Sequence, residues 1–225
     1  MIKTIKYINQ TINLDIPEEN LLFEIQPSDY PPVKDAEAAI LLALTNPVGT
    51  KTLEESLKPG MKVIIMSDDN TRPTPMKMIT PILLKKINDI GIPDSDIQII
   101  IASGTHRAMT DIELMDKFGR EILERIKILP HRYKNKDELV HFGMTKRGID
   151  IWANKNVVDA DFRISVGNIV PHHPAGWSAG AKTVLPGIGG VETVAQMHLL
   201  GSKSPAIGRV DSEMRKEMED FAESI

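Results

Sequence analysis

The chain has no cysteine. That excludes disulfides and metal centres built on its own thiolates. A soft metal held through sulfur would have to take that sulfur from a cofactor. No apolar run approaches the ~20 residues that a membrane-spanning helix needs. The opening "MIKTIKYINQTINLDIPEEN" has no apolar core of a secretory signal. Charge of neither sign dominates: 27 Lys and Arg stand against 31 Asp and Glu, interspersed, for a net charge of −4. No basic face is set up for nucleic acid or an acidic membrane, and no low-complexity tract is present. These absences read as a cytoplasmic globular protein with neither a nucleic-acid nor a membrane partner. Its 225 residues suit one large domain or two small ones, with length enough for a core.

What is present alternates. Residues 1–26 read as two strands ("IKTIKYIN", "NLLFEI") that a hairpin would join. Residues 35–47 read as a helix stopped before Pro47, and "KVIIMS" (62–67) as a buried strand followed by the polar loop "DDNTRPTP". Ile79, Ile82, Leu83, Ile87 and Ile90 share a helical face closed by Gly91; Pro81 either opens that helix behind Thr80 or kinks it. "IQIIIA" (97–102) is a second buried strand, followed by "SGTHR". "TDIELMDKFGREILERI" reads as one or two helices, and 126–158 as mixed, with strands around "ELVHFG" and "IDIWAN". "DFRISVGNIV" (161–170) is a third apolar strand, 189–201 a helix, and the last segment an amphipathic helix striped by Met214, Met218, Phe221 and Ile225. Strand, loop and helix in this order predict an α/β fold, a mostly parallel sheet flanked by helices, with its site at the carboxyl ends of the strands.

Those strand ends carry the unusual polar residues: Asp68 to Arg72, then Thr105-His106-Arg107, then His172-His173. Asp69 suits an ordinary helix cap; it also suits orienting a neighbouring histidine. Arg72 offers a planar fork for carboxylate or phosphate. His106 is either surface decoration or a proton carrier. Adjacent strand residues face opposite ways, so at most one of His172 and His173 meets a given ligand. The pair is a weak zinc signal, and no H-E-x-x-H supports a zinc hydrolase. "GWSAGAKT" around Lys182 imitates a phosphate-binding loop, but Ala181 precedes the lysine and "LPG" follows where a helix should open, so that reading is rejected. His198 shares a helical face with Val191, Val194 and Ala195. That makes it either a core histidine or an inward metal ligand.

"DDNTRP", "SGTHR", "PHHPAGWSAGAKTVLPG" and "QMH" occur in this order, with Lys182 ten residues after His172 and sixteen before His198. From about Met61 to His198 the set resembles the N-terminal domain of the nickel-pincer lactate racemases and related 2-hydroxyacid racemases. The resemblance implies a nickel pincer nucleotide (Ni-pyridinium-3,5-bisthiocarboxylic acid mononucleotide) covalently linked at Lys182. It implies that His198 completes the nickel coordination and that Asp69, Thr71 and Arg72 contact cofactor and substrate. It also implies that His106 and His172 act as acid and base in reversible hydride transfer at C2 of a lactate-like acid. Two departures stand out. Members often carry two glycines where this chain has Ala179-Gly180, and His173 has no counterpart role. Members also have two domains and about twice the length, so residues 1–225 correspond to the N-terminal cofactor-binding catalytic domain, incomplete without its C-terminal partner. The implied partners are a small 2-hydroxy acid, that missing domain and the enzymes that make the cofactor. A non-catalytic anion- or nucleotide-binding module on the same fold is the alternative.

Overall fold

The computed structural model describes residues 1–7, 10–25, 28, 30–203 and 206–225. They divide into two compact units, 1–34 and 35–225.

In the first unit, β1 (Ile2–Tyr7) and β2 (Gln10–Asp15) form an antiparallel hairpin pairing Ile2 with Asp15 and Tyr7 with Gln10. The expected second strand, "NLLFEI", lies ten residues after the observed one. It forms no strand, and Leu22, Phe23 and Ile25 are exposed. Its apolar residues imitate strand alternation, but the threonine- and isoleucine-bearing "QTINLD" takes the pairing. Residues 8, 9 and 26 of that reading lie outside the described residues.

The second unit begins with α1 (Ala36–Thr45), capped where Asp35 accepts the Ala38 N–H, and the one-turn α2 (Leu53–Ser56), opened by a Thr52–Glu55 capping box. Then β3 (Val63–Ser67), α3 (Met76–Asp89), β4 (Ile97–Ile101), α4 (Asp111–Phe118), α5 (Arg120–Arg125) and β5 (Lys127–Pro130) follow. The hairpin β6 (Leu139–Met144) and β7 (Asp150–Asn154), the single turn α6 (Lys155–Val158) and β8 (Phe162–Val166) come next. The ribbon β9 (Pro171–His172) and β10 (Gly176–Trp177), then α7 (Ala181–Val184), α8 (Val191–Ser202) and α9 (Glu213–Ala222), complete the order. The sheet order is β5-β4-β3-β8, all parallel, so β4 and β5 lie on one side of β3 and β8 on the other.

Strand periodicity builds two cores. Ile64 and Met66 face Val184, Leu185, Met197, Met214, Met218 and Phe221, while Val63 and Ile65 face Leu83, Leu84, Ile87, Phe118 and Ile122. Each fully buried aliphatic side chain contributes about 1.5–3 kcal/mol, so the sheet is held between helices on both faces. The expected α/β fold is what the chain adopts.

Four details differ from the expected elements. Helix α3 starts at Met76 and runs through Pro81, whose missing N–H would otherwise bond the Lys77 carbonyl. Burial of Met76, Leu83, Leu84 and Ile87 outweighs that loss. Strand β5, the fourth of the sheet, is not anticipated because its "KILP" is only four residues long, follows α5 after Ile126 alone and ends in proline. Strand β8 ends at Val166 rather than 170: a Cβ on Gly167 would meet the Ala179 Cβ at 3.2 Å and Asp68 Oδ2 at 3.4 Å, so the chain turns off there. Ile225 lies past the end of α9, although it packs against the same core as Met214, Met218 and Phe221.

Candidate active site

The loop after β3 turns on Asp69. Its Oδ1 accepts the Thr71 N–H (3.0 Å) and hydroxyl (2.5 Å), and its backbone carbonyl accepts the Arg72 N–H (3.2 Å). This is ordinary turn chemistry for aspartate. Its other oxygen, Oδ2, lies 2.5 Å from His106 Nδ1. Burial pushes the Asp69 carboxyl up, but the hydrogen bonds from Thr71 and His106 outweigh it and hold the carboxyl below its usual range. An ionised Asp69 accepts, so Nδ1–H of His106 donates and the neutral ring keeps its lone pair on Nε2.

The loop after β4 presents His106 through a tight turn. His106 N–H bonds the Ser103 carbonyl (3.0 Å), and the Gly104 N–H bonds the Gly187 carbonyl (2.8 Å), which ties this loop to the Lys182 segment. Gly104 sits at φ +57°, where a side chain is disfavoured.

Beyond β8, the chain is pinned by Ser178, whose hydroxyl donates to the Asn168 carbonyl and accepts the Val170 N–H (2.8 Å). His172 ends β9 and His173 begins the turn that follows, so the two part. His172 lines the cleft and His173 is exposed. Ala179 (φ +59°) and Gly180 (φ +54°) then turn the chain sharply into α7, which carries Lys182. The helix ends after one turn at Leu185-Pro186, unlike the long helix of a phosphate-binding loop.

His198 is exposed at the cleft wall, not buried in the core, and its neighbour Ala195 is exposed with it. Its Nδ1 lies 2.9 Å from the Val194 carbonyl. A carbonyl only accepts, so Nδ1 carries the proton and Nε2 keeps a lone pair, the state required of a metal ligand.

Asp69, Thr71, Arg72, His106, His172, Lys182 and His198 line one open cleft of about 540 Å³ at the carboxyl ends of β3, β4 and β8. The cleft is lined by two cations, Arg72 and Lys182, and two carboxylates, Asp68 and Asp69, and the carboxylates are engaged by Lys117, Thr71 and His106. Arg72 reaches only the Thr71 carbonyl (3.3 Å) and hydroxyl (3.1 Å), and among the described residues neither it nor Lys182 has a carboxylate partner. Burial first, then the Arg72 charge, brings the Lys182 amine down to about 8. Burial first, then the charges of Lys182 and Arg72, brings His172 down to about 4. His172 Nδ1 is buried without a hydrogen-bond partner.

Residues 7–208 match the lactate racemase N-terminal domain family. The chain belongs to that family. It is 36% identical over 194 residues to the lactate racemase of Lactiplantibacillus plantarum, covering 85% of this chain and 46% of that protein. It is 31% identical over 196 residues to the lactate racemase of Thermoanaerobacterium thermosaccharolyticum, covering 86% and 46%. The solved structure of the lactate racemase apoprotein from T. thermosaccharolyticum aligns with 99% of this chain and 53% of that one, at TM-score 0.87 and 28% identity. A crystal structure from Thermotoga maritima aligns at TM-score 0.68 and 27% identity, covering 84% and 47%. The chain thus spans about half the length of the lactate racemases it matches.

This member of the family also holds its site with residues to which sequence reasoning assigned no role. Asp68, beside Asp69, accepts from Lys117 Nζ (2.8 Å), the Thr74 hydroxyl and the Asn168 N–H (3.1 Å), and so joins the loops after β3 and β8. Glu113 accepts both guanidinium nitrogens of Arg107. The only local signal for Glu113 was its place three residues after Thr110, a capping box that the structure contains.

Proposed function

We propose that this chain is the cofactor-binding half of a nickel-dependent 2-hydroxyacid racemase of lactate type. The observation that carries this reading is one cleft holding two imidazoles on separate loops, two cations without carboxylate partners and a third imidazole with a free Nε2 lone pair.

The donor set fits the nickel pincer nucleotide. Among the described residues no three His, Cys, Asp or Glu side chains gather to bind a metal, and the chain has no thiol. A metal here would take one imidazole, His198, and its softer donors from a bound organic group. Lys182, partly neutral near pH 8, suits acylation by that group, since only the free amine is nucleophilic. When bound, the group would supply the hydride acceptor and donor.

The protein's own part is binding and proton transfer. Arg72 would take the substrate carboxylate on its guanidinium fork. His106, its tautomer fixed by Asp69, would accept the C2 hydroxyl proton of one enantiomer at Nε2 while His172 supplies the proton to the product of opposite hand. In the reverse direction His172, on the loop after another strand, would accept the proton and His106 supply it. Acylation removes the Lys182 charge and a bound carboxylate offsets Arg72; both changes raise His172 back toward the working range. Closure by a second domain would exclude water and add substrate contacts.

The test is the full-length protein made beside the cofactor-synthesis enzymes and assayed on D- and L-2-hydroxy acids. A mass increment on Lys182, bound nickel and turnover lost in His106→Ala and His172→Ala are expected. His198→Ala should lose nickel while keeping the increment. Carboxylate binding at Arg72 without turnover, in protein that carries the increment, would instead make this an anion-binding module.

A further inference from the structure

The sheet sets where the Asp69 and His106 loops begin, at the ends of β3 and β4, but not where their tips lie. Helix α4 touches both tips. The Glu113 carboxylate accepts Arg107 Nη1 (2.7 Å) and Nη2 (2.6 Å), next to His106, and Asn70 Nδ2 (2.7 Å), next to Asp69. One turn along the same face, Lys117 Nζ donates to Asp68 Oδ1 (2.8 Å), the Asp69 carbonyl (2.9 Å) and the Arg72 carbonyl (3.3 Å). The Lys117 side chain is 6% exposed and that of Asp68 13%. A buried pair of this kind adds little net stability, yet its geometry is stiff because neither charge can be left alone. The two residues therefore hold two backbone carbonyls and three side chains of the site loops against one rigid helix.

We infer that Glu113 and Lys117 are positioning residues that set the contact between His106 and Asp69. The geometry stands without the racemase reading; its catalytic consequence rests on it. Loss of the clamp lets the His106 loop drift, and a ring that leaves Asp69 loses the preference that puts its lone pair on Nε2.

The plain competing role is structural: Glu113 also caps α4 with Thr110. The two roles separate chemically. Glutamine serves the third position of a capping box as glutamate does, but forms no ion pair with Arg107. Glu113→Gln therefore keeps the cap and removes the clamp, while Thr110→Ala does the reverse.

The readout is the tautomer of His106, from ring nitrogen shifts in this chain above the ordinary imidazole range, with the signal assigned by its loss in His106→Gln. The wild-type ring should be predominantly Nδ1–H. Glu113→Gln and Arg107→Gln should each lower the Nδ1–H to Nε2–H ratio by about threefold or more, since threefold is already ~0.65 kcal/mol of lost preference. Lys117→Met should do the same where it folds; if it does not fold, the other two decide. Thr110→Ala should lower the melting temperature and leave the ratio in place. A wild-type ring that is mostly Nε2–H, unchanged ratios in Glu113→Gln and Arg107→Gln, or an equal change in Thr110→Ala would each overturn the inference. The measurement needs neither cofactor nor turnover. Failure of the loaded full-length protein to racemise any 2-hydroxy acid overturns the racemase reading alone.

Discussion

His106 and Asp69 are 37 residues apart in sequence and 2.5 Å apart in space, one more than half exposed and the other buried. A buried carboxylate that holds an accessible imidazole by Nδ1 determines which nitrogen does chemistry. Asp69→Asn keeps the size of the side chain but turns its amide N–H toward Nδ1, so the proton moves to Nε2. Turnover of the full-length, cofactor-loaded enzyme should fall by at least about 10²-fold, with little change in melting temperature. Steady-state kinetics beside a thermal melt checks this. Activity within a few fold of wild type would remove Asp69 from the proton-transfer machinery.

Lys182 should be the most readily acylated lysine of the chain. With its amine brought down to about 8, roughly half is free base at that pH. An ordinary lysine near 10.4 has about 0.4%. Labelling with a small amine-selective acyl donor for a short time near pH 8, followed by peptide mass spectrometry, should find Lys182 modified ahead of exposed lysines such as Lys85. Arg72→Met should slow that labelling, because the neighbouring positive charge is one cause of the shift. Labelling of Lys182 no faster than Lys85 would contradict it.

His131 gives the fold a defined acid sensitivity. It is buried, donates Nε2–H to the Gly189 carbonyl (2.8 Å) and accepts Asn154 Nδ2 at Nδ1 (3.2 Å). Burial lowers its pKa. Above the ordinary imidazole value of about 6.5 both folded and unfolded chains hold it neutral and it adds no pH dependence. As the pH falls below that value the unfolded chain takes up a proton that the fold refuses. Stability is then lost at up to about 1.4 kcal/mol per pH unit until the folded value is reached. Urea melts between pH 8 and pH 5 should show a shallower decline in His131→Gln than in wild type. Parallel declines would put the acid sensitivity elsewhere.

Ala179→Gly should stabilise the protein by about 1 kcal/mol, because glycine adopts the left-handed conformation at φ +59° without the Cβ penalty. A rise in denaturation midpoint at unchanged slope is the expected result. A fall would mean that the Ala179 methyl, packed against Gly167, contributes more than its backbone costs.

Much of this was legible in the sequence for one physical reason. Strands β3 and β4 stand out as apolar runs because the middle of the sheet is covered on both faces, and β8, a partly buried edge strand, by the alternation of Phe162, Ile164 and Val166; the polar residues at the three ends are then conspicuous. Strand β5 stayed hidden because it has four residues, follows α5 after Ile126 alone and ends in Pro130, so no separate run marks it. "NLLFEI" misled in the opposite way, being apolar without a partner. At the site, His106, His172, Lys182 and His198 could be picked out by residue type. Asp68, Glu113 and Lys117 could not: their roles depend on loop closures of 43 to 100 residues, which no local pattern encodes.

The sheet grows from β3 in one direction as far as β5 and resumes on its other side at β8. The chain therefore leaves β3 toward one side of the sheet and returns at β8 on the other, and the cleft opens beyond the carboxyl ends of the strands, over loops that Asp68 and Asn168 tie together. Its lining belongs to segments outside the four strands of the parallel sheet, with His172 pairing only in the small β9–β10 ribbon. Side chains there are free to be exchanged while every strand keeps its neighbour, so descent of the fold and divergence of its chemistry can proceed on separate residues.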